Sequence, residues 1–156
     1  MTNTDIYQDL KAEIERLREL AYTDRLTGIA NRAAFEEKLA EVVADRRTYT
    51  LIYIDLDGFK AVNDGHGHEA GDAVLQNVAE VLRDSLREGD FLARLGGDEF
   101  AILTRAKDAP GLAERLATPG LPEVGLSVGV ARGRGRKVLR EADHRMYEQK
   151  AARVAC

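Results

Sequence analysis

The chain has 156 residues, a common length for one domain and enough to bury a single core. Charged residues make up 32% of it and the net charge is −4, which argues against binding nucleic acid mainly through backbone phosphates but leaves room for a nucleotide. Cys156 is the only cysteine, no apolar run is long enough to span a membrane, and the N-terminus lacks a signal-peptide core, so a reducing, cytoplasmic setting without direct membrane insertion is expected.

Residues 5–22 carry a helical pattern in which Tyr7, Ile14 and Ala21 recur at sevens, as do Leu10 and Leu17. About two heptads fit an amphipathic helix packed on its own domain as well as a dimerising stalk. A chain opening on such a helix is expected to be a domain cut from a larger protein. Thr23 or Asp24 can cap the turn-like "TGIANR" that follows, and "RAAFEEKLAEVVADRR" places Phe35, Leu39, Val42 and Val43 on one helical face. The clearest strand is "TYTLIYIDLDGF", rich in β-branched and aromatic residues and ending in two acids. "NDGHGHEAGDAVLQNVAEVLRDSLR" reads as a Gly-rich loop and then a helix buried through Val74, Leu75, Val78, Val81, Leu82 and Leu86. "DFLARL" and "FAILTRA" flank "GGDE" as a hairpin. At most a short helix follows near "GLAERLA", then the strand "EVGLSVGVAR" and a last helix "KVLREADHRMYEQKAARV" with Val138, Leu139, Ala142 and Met146 at helical spacing. This order indicates one α/β domain with a mixed sheet.

Asp55 and Asp57 end the first strand two residues apart, so they share one face. A strand end beside a Gly-containing loop is a frequent catalytic or metal position, although solvated turn acids look the same. Gly96 and Gly97 permit positive φ and a close approach of ligand to backbone. Asp98 and Glu99 beside them need not do the same job. Side by side, the strand end and the hairpin tip would gather hard oxygen ligands of the kind that suits Mg²⁺.

"DRLTGIANR", "DLDGFKAVND", "GHEAGDAVL", "RLGGDEFAIL" and "ADHRMYEQK" occur in one order over roughly residues 22–150. Together they strongly resemble the GGDEF-domain diguanylate cyclases, which condense two GTP molecules into cyclic di-GMP. The resemblance implies an α+β fold: a stalk helix over residues 1–22, then a GGDEF domain over 23–156 with a central, mostly antiparallel, palm-like sheet flanked by helices. It implies Mg²⁺ (or Mn²⁺) held by Asp55, the Leu56 carbonyl, Asp98 and Glu99, the last two also being the catalytic pair. Substrate contacts carried over are Asn63 and Asp72 for guanine, Lys60 and Lys150 for phosphate, and Phe59, His68 and Gly97 near the nucleotide. "REGD", Arg87 to Asp90, lies where the family holds inhibitory cyclic di-GMP, though by itself it reads equally as a charged helix end capped at Gly89. Each domain would bind one GTP, so two must face each other as a homodimer, which gives the heptad a purpose. An upstream sensor domain fits the same scheme, and nucleic acid does not.

The sequence departs from that pattern in places. The segment after "FAILTRA" is short, leaving Arg115 as the nearest candidate for a further inhibitory-site arginine. "ARGRGRKVLREAD" is abbreviated and carries Arg132, Arg134, Arg136 and Arg140, readable as a solvated loop. The usual "K-x-x-G-R" ending reads "KAARVAC", with Arg153 one residue early, and Gly58 stands where a bulkier residue is common. The competing function is a non-catalytic receptor for GTP or cyclic di-GMP; retention of Asp55, Asn63, Asp72, Asp98 and Glu99 speaks against it.

Overall fold

The computed structural model describes residues 2–105, 111–112 and 124–154. In chain order these form α1 (Asn3–Tyr22), α2 (Arg32–Ala44), β1 (Tyr49–Asp57), α3 (Phe59–His66), α4 (His68–Asp84), β2 (Phe91–Gly96), β3 (Glu99–Thr104), β4 (Gly125–Gly133) and α5 (Lys137–Val154). The strands lie in the order β2-β3-β1-β4, and every pairing between them is antiparallel. Among the described residues the parallel contribution is a single bridge between Ala30 and Ala93. Arg115 and most of "GLAERLA" lie outside the described residues.

Alternation along β1 sorts the two cores. Ile52, Ile54 and Leu56 meet Leu75, Val78 and Leu82 of α4, with Phe100, Ile102 and Leu126 from the neighbouring strands. Tyr49 and Leu51 point the other way, towards Phe35, Leu39 and Val42 of α2 and Val138 and Ala142 of α5. The sheet therefore has α4 on one face and α2 with α5 on the other, a layered arrangement that buries both sides of β1.

α1 starts on a capping box: the Thr2 hydroxyl accepts from the Asp5 amide and the Asp5 carboxylate accepts from the Thr2 amide. No residue of α1 is buried, and Ile6, Tyr7, Leu10, Ile14, Leu17 and Leu20 are all exposed, Tyr7 by 66%. The described part of the domain thus leaves the apolar stripe uncovered, contrary to the reading in which this helix packs on its own domain.

The stretch read as a Gly-rich loop is mostly helical. α3 continues through Asn63, Asp64 and Gly65 to His66, and α4 begins two residues later at His68. Only Gly67 interrupts them, at φ 86°, ψ 168°, a conformation that excludes a side chain with Cβ. Burial of Val62 and packing of Phe59 against the core outweigh the weak helix propensity of "NDGH". Gly58 is left-handed at φ 76° and starts α3, which accounts for glycine at that departure from the family pattern. At the other end α4 is capped at Ser85, so Gly89 belongs to the next turn and is not the helix cap.

Candidate functional site

β1 and the β2–β3 hairpin build the site at one end of the sheet. The turn proper is Gly97–Asp98, because Gly96 and Glu99 already pair as strand residues after an irregularity between Arg94 and Gly96. Gly97 sits at φ 51° and Gly96 at φ 140°. Asp55 and Glu99 are direct partners across β1 and β3, so their side chains share one face. The Leu56 amide donates to the Asp98 carbonyl at 3.1 Å, which draws the turn onto the end of β1. Asp98 and Glu99 consequently enter the site from different backbone positions, one in the turn and one in the strand.

Asp55 is only 6% exposed, and burial pushes its carboxyl up. The nearby charges of Asp98 and Asp57 push the same way, opposed by Lys150, whose ammonium donates to the Asp55 carboxylate. The pair raises the Lys150 ammonium in turn. Asp57 accepts from the Ser127 hydroxyl at 2.6 Å and from the Arg153 guanidinium at 2.8 Å. Helix α5 therefore delivers two cations to the two acids that end β1. Lys150, expected at a phosphate, is bonded here to an expected metal ligand, and Arg153 finds a structural partner in Asp57. Glu99 is less constrained: its carboxylate lies 3.8 Å from Arg32, and its side chain is 45% exposed. A cleft of about 220 Å³ lined by Arg32, Tyr53, Glu99 and Asp143 opens beside it.

The donor set fits a divalent cation. A carboxylate buried next to other carboxylates and already holding a cation is suited to Mg²⁺, which takes one or two such ligands and completes its shell with phosphate and water. Among the described residues no three acidic, cysteine or histidine side chains converge into a ready-made cage.

The guanine candidates lie on the pair α3 and α4. Gly71 is buried in α4 against Asn63 of α3, and a Cβ on Gly71 would come within 1.9 Å of Asn63 Oδ1. Asn63 thereby lies at the helix–helix seam, and Asp72 follows Gly71 on α4 as an exposed residue. Gly71→Ala is expected to displace the Asn63 amide and raise KM for GTP roughly tenfold, with a melting temperature changed by only a few degrees, as steady-state kinetics and thermal melts would show. Phe59 and Lys60 lie in the first turn of α3, and His68 opens α4; Lys60, His68 and Asp72 are exposed. Arg87 and Asp90 form a turn in which the Arg87 amide donates to Asp90 Oδ2 and the Asp90 amide to the Arg87 carbonyl, each at 3.1 Å. A cleft of about 340 Å³ runs beside this turn, between Gly89, Phe91, Lys38 and Arg105.

Arg94, which sequence reasoning did not single out, ties the hairpin down through Asp24, which caps its turn as the sequence suggested. Arg94 donates to the Gly97 carbonyl through Nε and Nη2, at 3.0 and 2.8 Å, and through Nη1 to both oxygens of Asp24, at 3.2 Å each. Asp24 also accepts from the amide and hydroxyl of Thr27, at 2.9 and 2.6 Å. Just upstream, the Asn31 amide donates to the Tyr22 carbonyl, linking the end of α1 to the same knot. Arginine two residues before a glycine pair, with an Asp–x–x–Thr turn elsewhere, was the available signal. Burial pushes the Asp24 carboxyl up, but the bonds from Thr27 and Arg94 outweigh it and hold the group below its usual value. A carboxyl lowered on folding adds stability above its unfolded pKa, about 4, and loses it as pH falls through the folded value. Asp24→Asn is therefore expected to lower the melting temperature at pH 7 and to flatten the loss of stability below about pH 4, measured by melts across pH.

Residues 21–155 match the family described as "Diguanylate cyclase, GGDEF domain". The chain is 39% identical over 169 aligned residues to the diguanylate cyclase DgcP of Pseudomonas aeruginosa, covering 93% of this chain and 25% of that protein. It is 37% identical to the cyclic di-GMP phosphodiesterase PdeR of Escherichia coli, with 96% of this chain and 25% of that protein covered. The chain thus spans a quarter of the length of each of these curated relatives. Among solved structures, the coiled coil and GGDEF domain of DgcB from Caulobacter crescentus, in complex with c-di-GMP, superposes with a TM-score of 0.83 at 30% identity, covering 96% of this chain and 91% of that one.

Proposed function

The chain belongs to the GGDEF-domain diguanylate cyclase family, and from that premise we propose that it condenses two GTP into cyclic di-GMP with release of two pyrophosphates. The observation that carries the reading is the pairing of Asp55 with Glu99 across β1 and β3, with Asp98 drawn onto Leu56 beside them. Asp55, Asp98, Glu99 and the Leu56 carbonyl are the groups that would hold Mg²⁺ or Mn²⁺. When bound, the cation lowers the pKa of a ribose 3′-hydroxyl and offsets charge on the α-phosphate.

Glu99, exposed and held by one long ion pair, is free to take the proton from the attacking 3′-hydroxyl. The hydroxyl oxygen then bonds to the α-phosphorus of the facing GTP while the bond to pyrophosphate breaks, and a second, symmetric step closes the ring. Asn63 can donate to acceptors on guanine and Asp72 can accept from its N1–H and 2-amino groups. Lys60, His68, the Phe59 backbone and Gly97 line the nucleotide. Lys150 exchanges Asp55 for substrate phosphate as nucleotide and cation enter. The exposed stripe of α1 pairs with its copy in a homodimer and raises the effective concentration of the second half-site.

Incubation of the purified chain with GTP and Mg²⁺ at high protein concentration is expected to yield cyclic di-GMP and pyrophosphate. Binding of GTP without product would replace the enzyme by a receptor. The Arg87–Asp90 turn and its adjoining cleft suit a guanine edge or phosphate of the product. Arg87→Ala is expected to weaken inhibition by added cyclic di-GMP at least tenfold, read from inhibition curves, with the initial rate unchanged.

A further inference from the structure

The arginine-rich loop that the proposed chemistry does not use is only part of a larger basic surface. It joins the end of β4 to the start of α5, and this stretch carries Arg132, Arg134, Arg136 and Lys137, all exposed. Register pairs bring two other segments beside it: Tyr49 faces Gly133, and Thr50 faces Arg132 on one side and Thr104 on the other. Exposed Arg46 and Arg47 precede β1, and exposed Arg105 follows β3. Short contacts knit the three segments together. Arg47 and Arg105 both donate to Asp45, Arg132 donates to the Thr50 hydroxyl at 3.1 Å, and the Tyr49 hydroxyl donates to the Gly135 carbonyl at 2.9 Å. Seven cations from three distant stretches thus converge at one end of the sheet around a single acid, Asp45, which pairs with Arg47 and Arg105, on a chain whose net charge is −4. The reaction site, at Asp55 towards the opposite end of β1, lies roughly 20 Å from Tyr49 at the usual strand rise.

We propose that this basic pole docks the domain on the headgroups of an anionic lipid bilayer, with the reaction end facing away from the membrane. Six of the seven cations are arginines, whose planar forks grip phosphate oxygens in pairs. They crown three neighbouring strand ends and spread well beyond the cleft that Arg105 lines, and so match an extended anionic plane. Among the described residues the pole offers no exposed aromatic ring for stacking on bases: Tyr49 is 1% exposed, and the exposed aromatics, Tyr7 and Tyr147, lie on helices away from it. Among the described residues it also offers no exposed large apolar side chain, and no described helix is long and apolar enough to cross a membrane, so the proposed binding is electrostatic and peripheral. Repulsion from the acidic remainder is screened, because most of it lies beyond a Debye length from the bilayer.

The test is co-sedimentation of the chain with vesicles of phosphatidylcholine alone or with about three parts in ten phosphatidylserine, at about 0.1 M salt. Binding is expected only to the anionic vesicles and should disappear at about 0.5 M salt. R134Q/R136Q/K137Q is expected to lose roughly 100-fold in affinity, R46Q/R47Q tenfold or more, and R83Q on the exposed surface of α4 less than twofold. None of these variants touches the reaction end. Equal partition onto neutral vesicles, wild-type affinity in both multiple variants, or a preference for duplex DNA at equal phosphate concentration would overturn the proposal.

Discussion

Replacing Glu99 by Gln is expected to lower turnover roughly 10³-fold or more while leaving the melting temperature within a degree or two of the parent. The amide keeps the size of the carboxylate but can neither accept a proton from the 3′-hydroxyl nor supply a charged ligand. The fold has little stake in that charge. Its ion partner Arg32 sits at 3.8 Å, both side chains are about half exposed, and Arg32 keeps its bond from Nε to the Leu95 carbonyl at 2.7 Å. The proposed guanine contacts at Asn63 and Asp72 lie on other elements, so GTP affinity measured by calorimetry should change less than tenfold. Retention of a tenth of the parental rate would remove Glu99 from the proton-transfer role and leave Asp98 as the acid to test.

The largest effect on stability is expected from Gly129→Ala. A Cβ at Gly129 would lie 1.9 Å from the Ala142 carbonyl oxygen and 2.4 Å from the Met146 amide, both backbone atoms of α5. Unlike the flexible Asn63 side chain that faces Gly71, a helix backbone cannot swing aside, so α5 must lift off β4. Overpacking of this kind costs about 3 kcal/mol, which for a domain of this size lowers the melting temperature by roughly 10 °C. Because α5 brings Lys150 to Asp55, the loss should extend to the reaction end. A variant that melts with the parent would show that α5 is held less closely than the contacts require.

Alternation and β-branching marked β1, β3 and β4 in the sequence, and the apolar face of α4 was legible for the same reason: each is buried in a regular pattern. α3 was not, because eight residues containing Asn, Asp and Gly carry little helical signal of their own and are held by burial of Val62, by packing of Phe59 and by Gly58 and Gly67 at either end. At the site, Asp55, Asp98 and Glu99 could be read from their motifs, and the register confirms that Asp55 and Glu99 are neighbours. The ion pairs of Asp55 with Lys150 and Asp57 with Arg153 could not, since they join residues 95 and 96 positions apart. A geometric hint was present. Three helical residues advance about 4.5 Å and two strand residues about 6.6 Å, so cations at 150 and 153 can meet acids at 55 and 57. The Asp24–Arg94 link was likewise hidden until β2 and the turn after α1 came together.

Gly125, Gly129 and Gly133 recur every fourth residue on the α5 side of β4, where added Cβ atoms would meet Arg153, Met146 and Val138 respectively. Strand and helix mesh along that line like a rack and pinion, with three bare teeth-gaps on the rack. A residue inserted into α5 between Met146 and Lys150 would turn everything after it by about 100° and carry both cations off their acids. The distance from the middle of α5 to its last turn therefore works as a gauge, and it sets where positive charge arrives at the end of β1.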